Sequence, residues 1–204
     1  MKTVAIVSQK GGSGKTTIAV HLAVSAVLAG KRVAIIDLDP QASALEWRAR
    51  READWPEVIT ATPEQLRPRL NEAKQHGGDL AIIDTAPHSD RAAVVAAELA
   101  DIVLIPCRPS AFDVAAIGTT LNILKLNKTI DRAAILLNAA PSRGVITDAA
   151  EEGLAEIIPV VPVRLHHRAA YSHAINGGNS VEEYEPHGKA AEEIRALYKW
   201  IMKA

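Results

Sequence analysis

The chain has 204 residues, a formal net charge of −1 and a single cysteine, Cys107. No apolar run approaches the ~18 residues of a membrane-spanning helix, no secretory signal opens the sequence, and one cysteine cannot form an internal disulfide. Lys and Arg are spread along the chain, which excludes a constitutively basic nucleic-acid-binding domain. We therefore expect a cytosolic protein in which any DNA contact comes from a local patch.

Length and apolar composition predict one α/β domain over residues 1–204. A chain of this size can bury about 70% of its unfolded surface. Aromatic residues make up only 3% of the sequence, so Ala, Val, Ile and Leu must build the core. That composition suits a mostly parallel, twisted β-sheet flanked by helices on both faces.

The first informative stretch is a glycine-rich segment, QKGGSGKTT, over residues 9–17, directly after an apolar run at 3–7. In such a strand-to-helix loop, successive backbone N–H groups face one concavity, and the helix start adds its positive end. Lys15 then supplies a charge for β- and γ-phosphates, and Thr16 supplies a hydroxyl for Mg²⁺. The expected ligand is a nucleoside triphosphate.

An acidic segment follows the next strand. A helix capped by Gly30 leads into the apolar strand 33–36, which completes a parallel, right-handed βαβ unit. This strand ends in D-L-D-P-Q, residues 37–41. We expect it to lie beside the first strand, so that Asp37 and Asp39 reach the sheet edge where α/β folds bind ligands. A turn that uses Asp and Pro for backbone reasons is the alternative.

A second carboxylate signal lies further along the chain. Two S/T-x-x-E/Q patterns, at 43–46 and 62–65, predict capped helix starts, with a short strand at 58–61 between them. The apolar run 80–83 then ends in Asp84. This is the form of a Walker B strand, whose carboxylate holds Mg²⁺, commonly through water.

The rest of the sequence continues the alternation of predicted helices and strands. Residues 90–100 and 114–126 predict helices, and residues 102–105 and 133–138 predict buried strands. The apolar segment 157–163 is expected to close the sheet as a further strand. Residues 188–204 predict a final helix with one apolar face.

Lys10, at the start of the glycine-rich loop, gives the pattern K-G-G-x-G-K-[ST]-T, with Gln9 where the general phosphate-loop pattern has glycine. With the segments 37–41 and 84–87, this resembles the deviant Walker A motif of the ParA/MinD superfamily. The resemblance covers nearly the whole chain, which looks like a small ParA-type partition ATPase without an N-terminal helix-turn-helix domain. Ala86 departs from the family's usual proline.

The resemblance implies a Mg²⁺-dependent ATPase that forms a homodimer sandwiching ATP. Lys10 would reach the partner subunit's nucleotide, Asp39 would position the attacking water, and Lys15 would complete the catalytic set. Thr16 and Asp84 would hold the metal. Asn138 would recognise the base, with a turn-forming asparagine as the alternative. Expected nucleotide contacts are Lys10, Gly11, Gly12, Ser13, Gly14, Lys15, Thr16, Thr17 and Asn138.

The family's cycle further implies that the ATP-bound dimer binds nucleoid DNA without sequence preference, in a cytoplasmic, nucleoid-associated protein. A ParB-like or other small activating partner would stimulate hydrolysis and release, and the cargo would be a plasmid, a chromosome or a protein assembly. For each candidate DNA contact, an ordinary solvated charge is the alternative. The candidates are Arg164, Arg168, Lys189, Arg195, Lys199 and Lys203.

Two other functions share this fold. A metabolic, dethiobiotin-synthetase-like enzyme would need a pocket for a small acid, and the sequence shows no dedicated constellation for one. A MinD-like membrane ATPase would need a basic, aromatic-rich extension beyond the last helix, which we do not expect here.

Overall fold

The computed structural model describes residues 1–143 and 145–204, which form a six-stranded sheet with the order β3-β2-β4-β1-β5-β6. All neighbouring strands are parallel. The strands are β1 (Lys2–Ile6), β2 (Val33–Asp37), β3 (Glu57–Thr60), β4 (Leu80–Asp84), β5 (Ile102–Cys107) and β6 (Ala133–Leu137).

Helices cover both faces of this sheet. The helices are α1 (Lys15–Leu28), α2 (Ser43–Arg50), α3 (Pro63–Gln75), α4 (Asp90–Leu99), α5 (Ala111–Leu126), α6 (Ile146–Ala155), α7 (Ala169–Asn176), α8 (Val181–Tyr184) and α9 (Lys189–Lys203). Residues of α1, α2, α7, α8 and α9 pack on one face, and residues of α3 to α6 pack on the other. None of the helices in the described ranges is both long and apolar enough to cross a membrane.

Burial on both faces explains why the strands read as continuous apolar runs. In β1, Val4 and Ile6 join the core under α1, while Ala5 joins the core on the opposite face. Every residue of β2 and β4 is buried, including the aspartate that ends each strand. The predicted fold class, a parallel sheet between two helical layers, is confirmed.

The predicted neighbour of β1 is wrong. The chain leaves β1 through α1 and enters β2, but β4 lies between these two strands and pairs with both. A helical crossover can pass over one strand as readily as none, so the βαβ pattern does not set the spacing. This strand order brings two carboxylates together, because Asp37 and Asp84 are register partners on adjacent strands.

The predicted capping box at 43–46 is also wrong. The residue that caps α2 is Ala42, in the left-handed conformation (φ 51°), and Ser43 is already helical. The Asp37 carboxylate replaces the box by accepting the N–H of Ala44 at 3.1 Å. The second box is confirmed, since the side chain of Gln65 accepts the N–H of Thr62 at the start of α3.

The segment 157–163 does not close the sheet as a strand. It runs beside β6 and forms one isolated parallel bridge, between Ile135 and Val160. Pro159 and Pro162 lack the N–H groups that a continuous ladder requires. The sheet therefore ends at β6.

Candidate functional site

The loop between β1 and α1 has two positions whose backbone conformation favours glycine. Gly12 (φ 69°) and Gly14 (φ 92°) occupy the left-handed region, which disfavours any side chain. Gln9 lies outside that region, so a side chain is tolerated where the general pattern has glycine. The loop ends at the N-terminus of the 14-residue helix α1, whose free N–H groups form an anion-binding site.

The two lysines of the loop have different surroundings. Lys15 is 6% exposed, and its Nζ donates to the carbonyl oxygen of Ser8 at 3.2 Å. Burial lowers the pKa of Lys15, although the charges of Asp84 and Asp39 oppose the shift. Lys10 is half-buried, and its Nζ lies 2.7 Å from Oδ1 of Asp113 at the start of α5. Lys15 therefore faces the interior of the loop, and Lys10 is held at its rim.

Asp84 has the features of a metal ligand. It is 1% exposed, and neither carboxylate oxygen has a hydrogen-bond partner among the described residues. Burial is the main reason that its pKa rises to about 7, and the charge of Asp37 adds to the effect. The nearby Thr16 hydroxyl and Lys15 ammonium oppose the shift. A bound cation would give these oxygens a partner, so the residues present fit Mg²⁺.

Asp37, which ends β2, and Asp39, two residues later, have different surroundings. Asp37 is buried and accepts the N–H groups of Asp39 at 2.9 Å and Ala44 at 3.1 Å, so it shapes the turn and caps α2. Burial raises its pKa despite those hydrogen bonds. Asp39 is half-buried, and its Oδ1 accepts the N–H of Gln41 at 2.9 Å. Of the two carboxylates, Asp39 is the one that remains accessible beside the phosphate loop.

Asn138 lies against the phosphate loop. Its Nδ2 donates to the carbonyl oxygen of Ser13 at 2.7 Å. A Cβ added to Gly14 would come within 2.3 Å of this Nδ2, so a side chain there would displace Asn138, and the positive φ also disfavours one. Asn138 also lines the cleft next to the loop, which is where a base would lie. A role in base recognition remains a prediction.

Arg108 is a site residue that the sequence motifs did not single out. It follows β5, and its guanidinium donates to the carbonyl oxygen of Gly12. It also lines the cleft with Asn138. Its position directly after a buried strand, at the same sheet edge as Asp37 and Asp84, is a signal that could have identified it.

The far wall of the cleft comes from the segment between β6 and α8, which the sequence relates to the family only through a loose pattern over residues 164–186. It includes His166, Arg168 and Tyr171, and their polar atoms converge on Glu193 of α9. The sequence did not predict roles for His166 and Glu193, because 27 residues separate them and no spacing rule joins them. Arg168 was predicted as a DNA contact.

The six predicted DNA contacts divide into two groups. The three arginines form ion pairs: Arg164 with Asp148 (2.7 Å) and Glu151, Arg168 with Glu193 (2.6 Å), and Arg195 with Glu182 (3.3 Å). The three lysines are exposed on α9 and have no ion-pair partner in the described residues. They recur at spacings that place them on one side of the helix. This group consists of Lys189, Lys199 and Lys203.

Comparison with known proteins agrees with this geometry. The family profile described as "CobQ/CobB/MinD/ParA nucleotide binding domain" matches residues 4–181. "Maintenance of carboxysome distribution protein A" of Gloeobacter kilaueensis is 32% identical over 98% of this chain and 92% of its own length. The protein with the same description from Halothiobacillus neapolitanus is 29% identical over 98% and 96%.

Solved structures agree on the fold. The McdA–ATP complex of Cyanothece superposes with a TM-score of 0.78, covering all of this chain and 95% of that one at 19% sequence identity. At that identity the likeness concerns the fold. It extends over the whole chain, including the sheet edge that bears the loop and the carboxylates.

Proposed function

The chain belongs to the CobQ/CobB/MinD/ParA family of nucleotide-binding domains, and from that premise we propose that it is an ATP-driven positioning ATPase. In this proposal two subunits sandwich ATP and Mg²⁺, the dimer binds DNA without sequence preference, and a small ParB-like or other partner stimulates hydrolysis to release it. The protein then works in the cytoplasm at the nucleoid.

The observation that carries the proposal is the pair of differently placed lysines on one phosphate loop. Lys15 lies inside the loop, where it would contact a phosphate bound by its own subunit. Lys10 lies at the rim, where its ammonium can reach a second molecule once it leaves Asp113. One chain therefore offers one lysine to its own nucleotide and one to its partner's.

The chain's own residues divide the work of hydrolysis. The loop's N–H groups and Lys15 bind and orient the phosphates, and Thr16 and Asp84 hold the metal. Mg²⁺ bound there would neutralise charge on the β- and γ-phosphates. Asp39 orients the attacking water, because it is the accessible carboxylate at this sheet edge.

Lys10 must exchange partners when the dimer forms. In the isolated subunit it is paired with Asp113, whose pKa stays below its usual range because hydrogen bonds from Lys10 and Ser110 outweigh its partial burial. Lys10 is 39% exposed, so this ion pair is worth at most about 1 kcal/mol. A charge-assisted contact with the partner's triphosphate would replace this ion pair, so its loss is a small barrier to dimerisation.

DNA binding is assigned to the exposed lysines of α9, because the predicted arginines are already paired with carboxylates. Three phosphate contacts per subunit give a log–log salt slope of about −3 for one subunit and about −5 for a dimer. At cytosolic salt the dimer holds DNA and the monomer releases it.

The cargo that we propose is a protein assembly. Two relatives that match this chain over 98% of its length are named for carboxysome distribution. A fluorescent label on the protein assembly, imaged in the organism that encodes this chain, should show that the assembly loses its regular spacing when the chain is deleted. Unchanged spacing of protein bodies with unstable plasmids would indicate DNA cargo instead.

Lys10→Ala tests the proposal, with Lys125→Ala as a control that removes an exposed lysine from outside the site. Lys10→Ala should bind ATP within about threefold of wild type but fail to dimerise in ATP and Mg²⁺, measured by size exclusion with light scattering. Dimerisation and turnover equal to wild type would refute the cross-subunit role.

Two further assays separate the other functions of this fold. Turnover that responds to a small carboxylate or amine rather than to DNA would indicate a metabolic enzyme. ATP-dependent co-sedimentation with liposomes would indicate a MinD-like membrane ATPase.

A further inference from the structure

Glu193 of α9 collects an unusual number of donors at the wall of the nucleotide cleft. Its carboxylate accepts the backbone N–H of His166 at 3.1 Å and lies 2.8 Å from the Nδ1 of the same residue. It also accepts from Arg168 at 2.6 Å and from the Tyr171 hydroxyl at 3.2 Å. The side chain of Glu193 is only 13% exposed, so this network is shielded from solvent and holds His166 in one orientation.

The network determines which ring nitrogen of His166 carries the proton. A carboxylate only accepts hydrogen bonds, so the Nδ1 that faces Glu193 must be the donor. In the neutral imidazole with its proton on Nδ1, the other nitrogen, Nε2, is the acceptor.

His166 lies where that acceptor can be used. The residue lines the cleft together with Gly14 and Thr17 of the phosphate loop and with Asn138. Its side chain is 26% exposed, whereas its Nδ1 edge is occupied by Glu193. A ligand that enters from the loop thus meets a ring that Glu193 holds in one orientation.

We propose that His166, oriented by Glu193, accepts a hydrogen bond from the exocyclic 6-amino group of a purine and makes the cleft selective for adenine over guanine. This inference rests on the proposed function, since it assumes that ATP binds at the loop. A guanine presents a carbonyl oxygen at the same position, which would set acceptor against acceptor. His166 is thus a specificity residue, and Glu193 a positioning residue that acts through it.

Binding of ATP, GTP and purine riboside 5′-triphosphate, which lacks the 6-amino group, tests this assignment by competition against a fluorescent ATP analogue with Mg²⁺. In the wild-type protein, purine riboside triphosphate should bind about 3- to 10-fold more weakly than ATP, and GTP at least about 10-fold more weakly. In His166→Phe, ATP and purine riboside triphosphate should bind within about twofold of each other. Glu193→Gln should also reduce the difference in affinity between ATP and purine riboside triphosphate, because an amide does not require His166 to carry its proton on Nδ1.

His167→Phe is the matched control, since His167 lines the same cleft without contacting Glu193. It should keep the full difference between the two nucleotides. The assignment would be overturned if His166→Phe lost affinity equally for ATP and purine riboside triphosphate. It would also be overturned if the difference between the two nucleotides disappeared in His167→Phe instead. Failure of the wild-type protein to bind any of the three would refute the proposed function instead. If His166→Phe does not fold, as judged by circular dichroism, Glu193→Gln decides alone.

Discussion

Asp84→Asn isolates the cost of burying a carboxylate at the end of β4. The pKa of Asp84 is raised from 3.8 to about 7, chiefly because burial disfavours its charge. Between those two pH values, the folded protein holds a proton that the unfolded chain has released, so the free energy of unfolding falls as pH rises. Below pH 3.8 both states are protonated and the cost disappears. Above about pH 7 the cost is fully present.

The expected change in the free energy of unfolding is about 1.4 kcal/mol per pH unit over the part of this pH range that can be measured. Between about pH 5 and about pH 8, ionisation of Asp84 should cost the metal-free protein about 2–3 kcal/mol. The substituted amide cannot ionise, so Asp84→Asn should remove that part of the pH dependence. Any constant cost of a buried amide without partners cancels when the two pH values are compared for the same protein.

Urea unfolding at these two pH values, without nucleotide or Mg²⁺, measures the difference. Asp131→Asn is the control, because it removes the same charge from an exposed position. Its unfolding curves should follow those of wild type at both pH values. If Asp84→Asn and wild type also change in parallel between the two pH values, burial does not raise the pKa of Asp84 and the reasoning fails.

Two further predictions concern the loop and α9. Gly14→Ala should weaken ATP binding by at least about tenfold, because the new Cβ would overlap Asn138 and the position has a positive φ. Gly11→Ala is the control: no atom of the described residues lies near the position of its Cβ, so it should bind ATP normally in the same titration. Equal ATP affinities of Gly14→Ala and Gly11→Ala would show that the loop rearranges freely. Replacing the α9 lysines by alanine should flatten the salt dependence of ATP-state DNA binding by about 0.9 for each phosphate that is no longer neutralised, with ATP affinity unchanged. An equal effect from a control triple, Lys74, Lys125 and Lys128, would mean that net charge and not α9 is responsible.

The sequence predicted the fold well because strand burial leaves a strong signal. A strand buried on both faces must be apolar along its length, as in β4 up to its final aspartate, so its start and end can be recognised. Lys15 and Asp84 could be placed at one sheet edge for a similar reason, since the glycine-rich loop follows β1 and Asp84 ends β4. Their roles in phosphate and metal binding remain predictions.

Spatial order and long-range contacts could not be predicted in the same way. Nothing in β1, β2 or the helix between them encodes that β4 lies in the gap. Ser43 matches a capping pattern, yet the first turn of α2 is capped from a distance, by the Asp37 carboxylate that accepts the N–H of Ala44. Glu193 and His166 illustrate the same limit, since only the folded chain brings them together.

The most direct test of the proposed ATPase cycle is the oligomeric state of Asp39→Ala in saturating ATP and Mg²⁺. Nucleotide binding should survive, because the loop, Lys15 and the metal residues are unchanged. Without the oriented water, turnover should slow by roughly a hundred- to several-thousand-fold, or about 3–5 kcal/mol of transition-state stabilisation. Size exclusion with light scattering should therefore show a persistent dimer that shifts DNA in a gel. A monomer that ignores DNA while ATP is bound would contradict the proposed cycle.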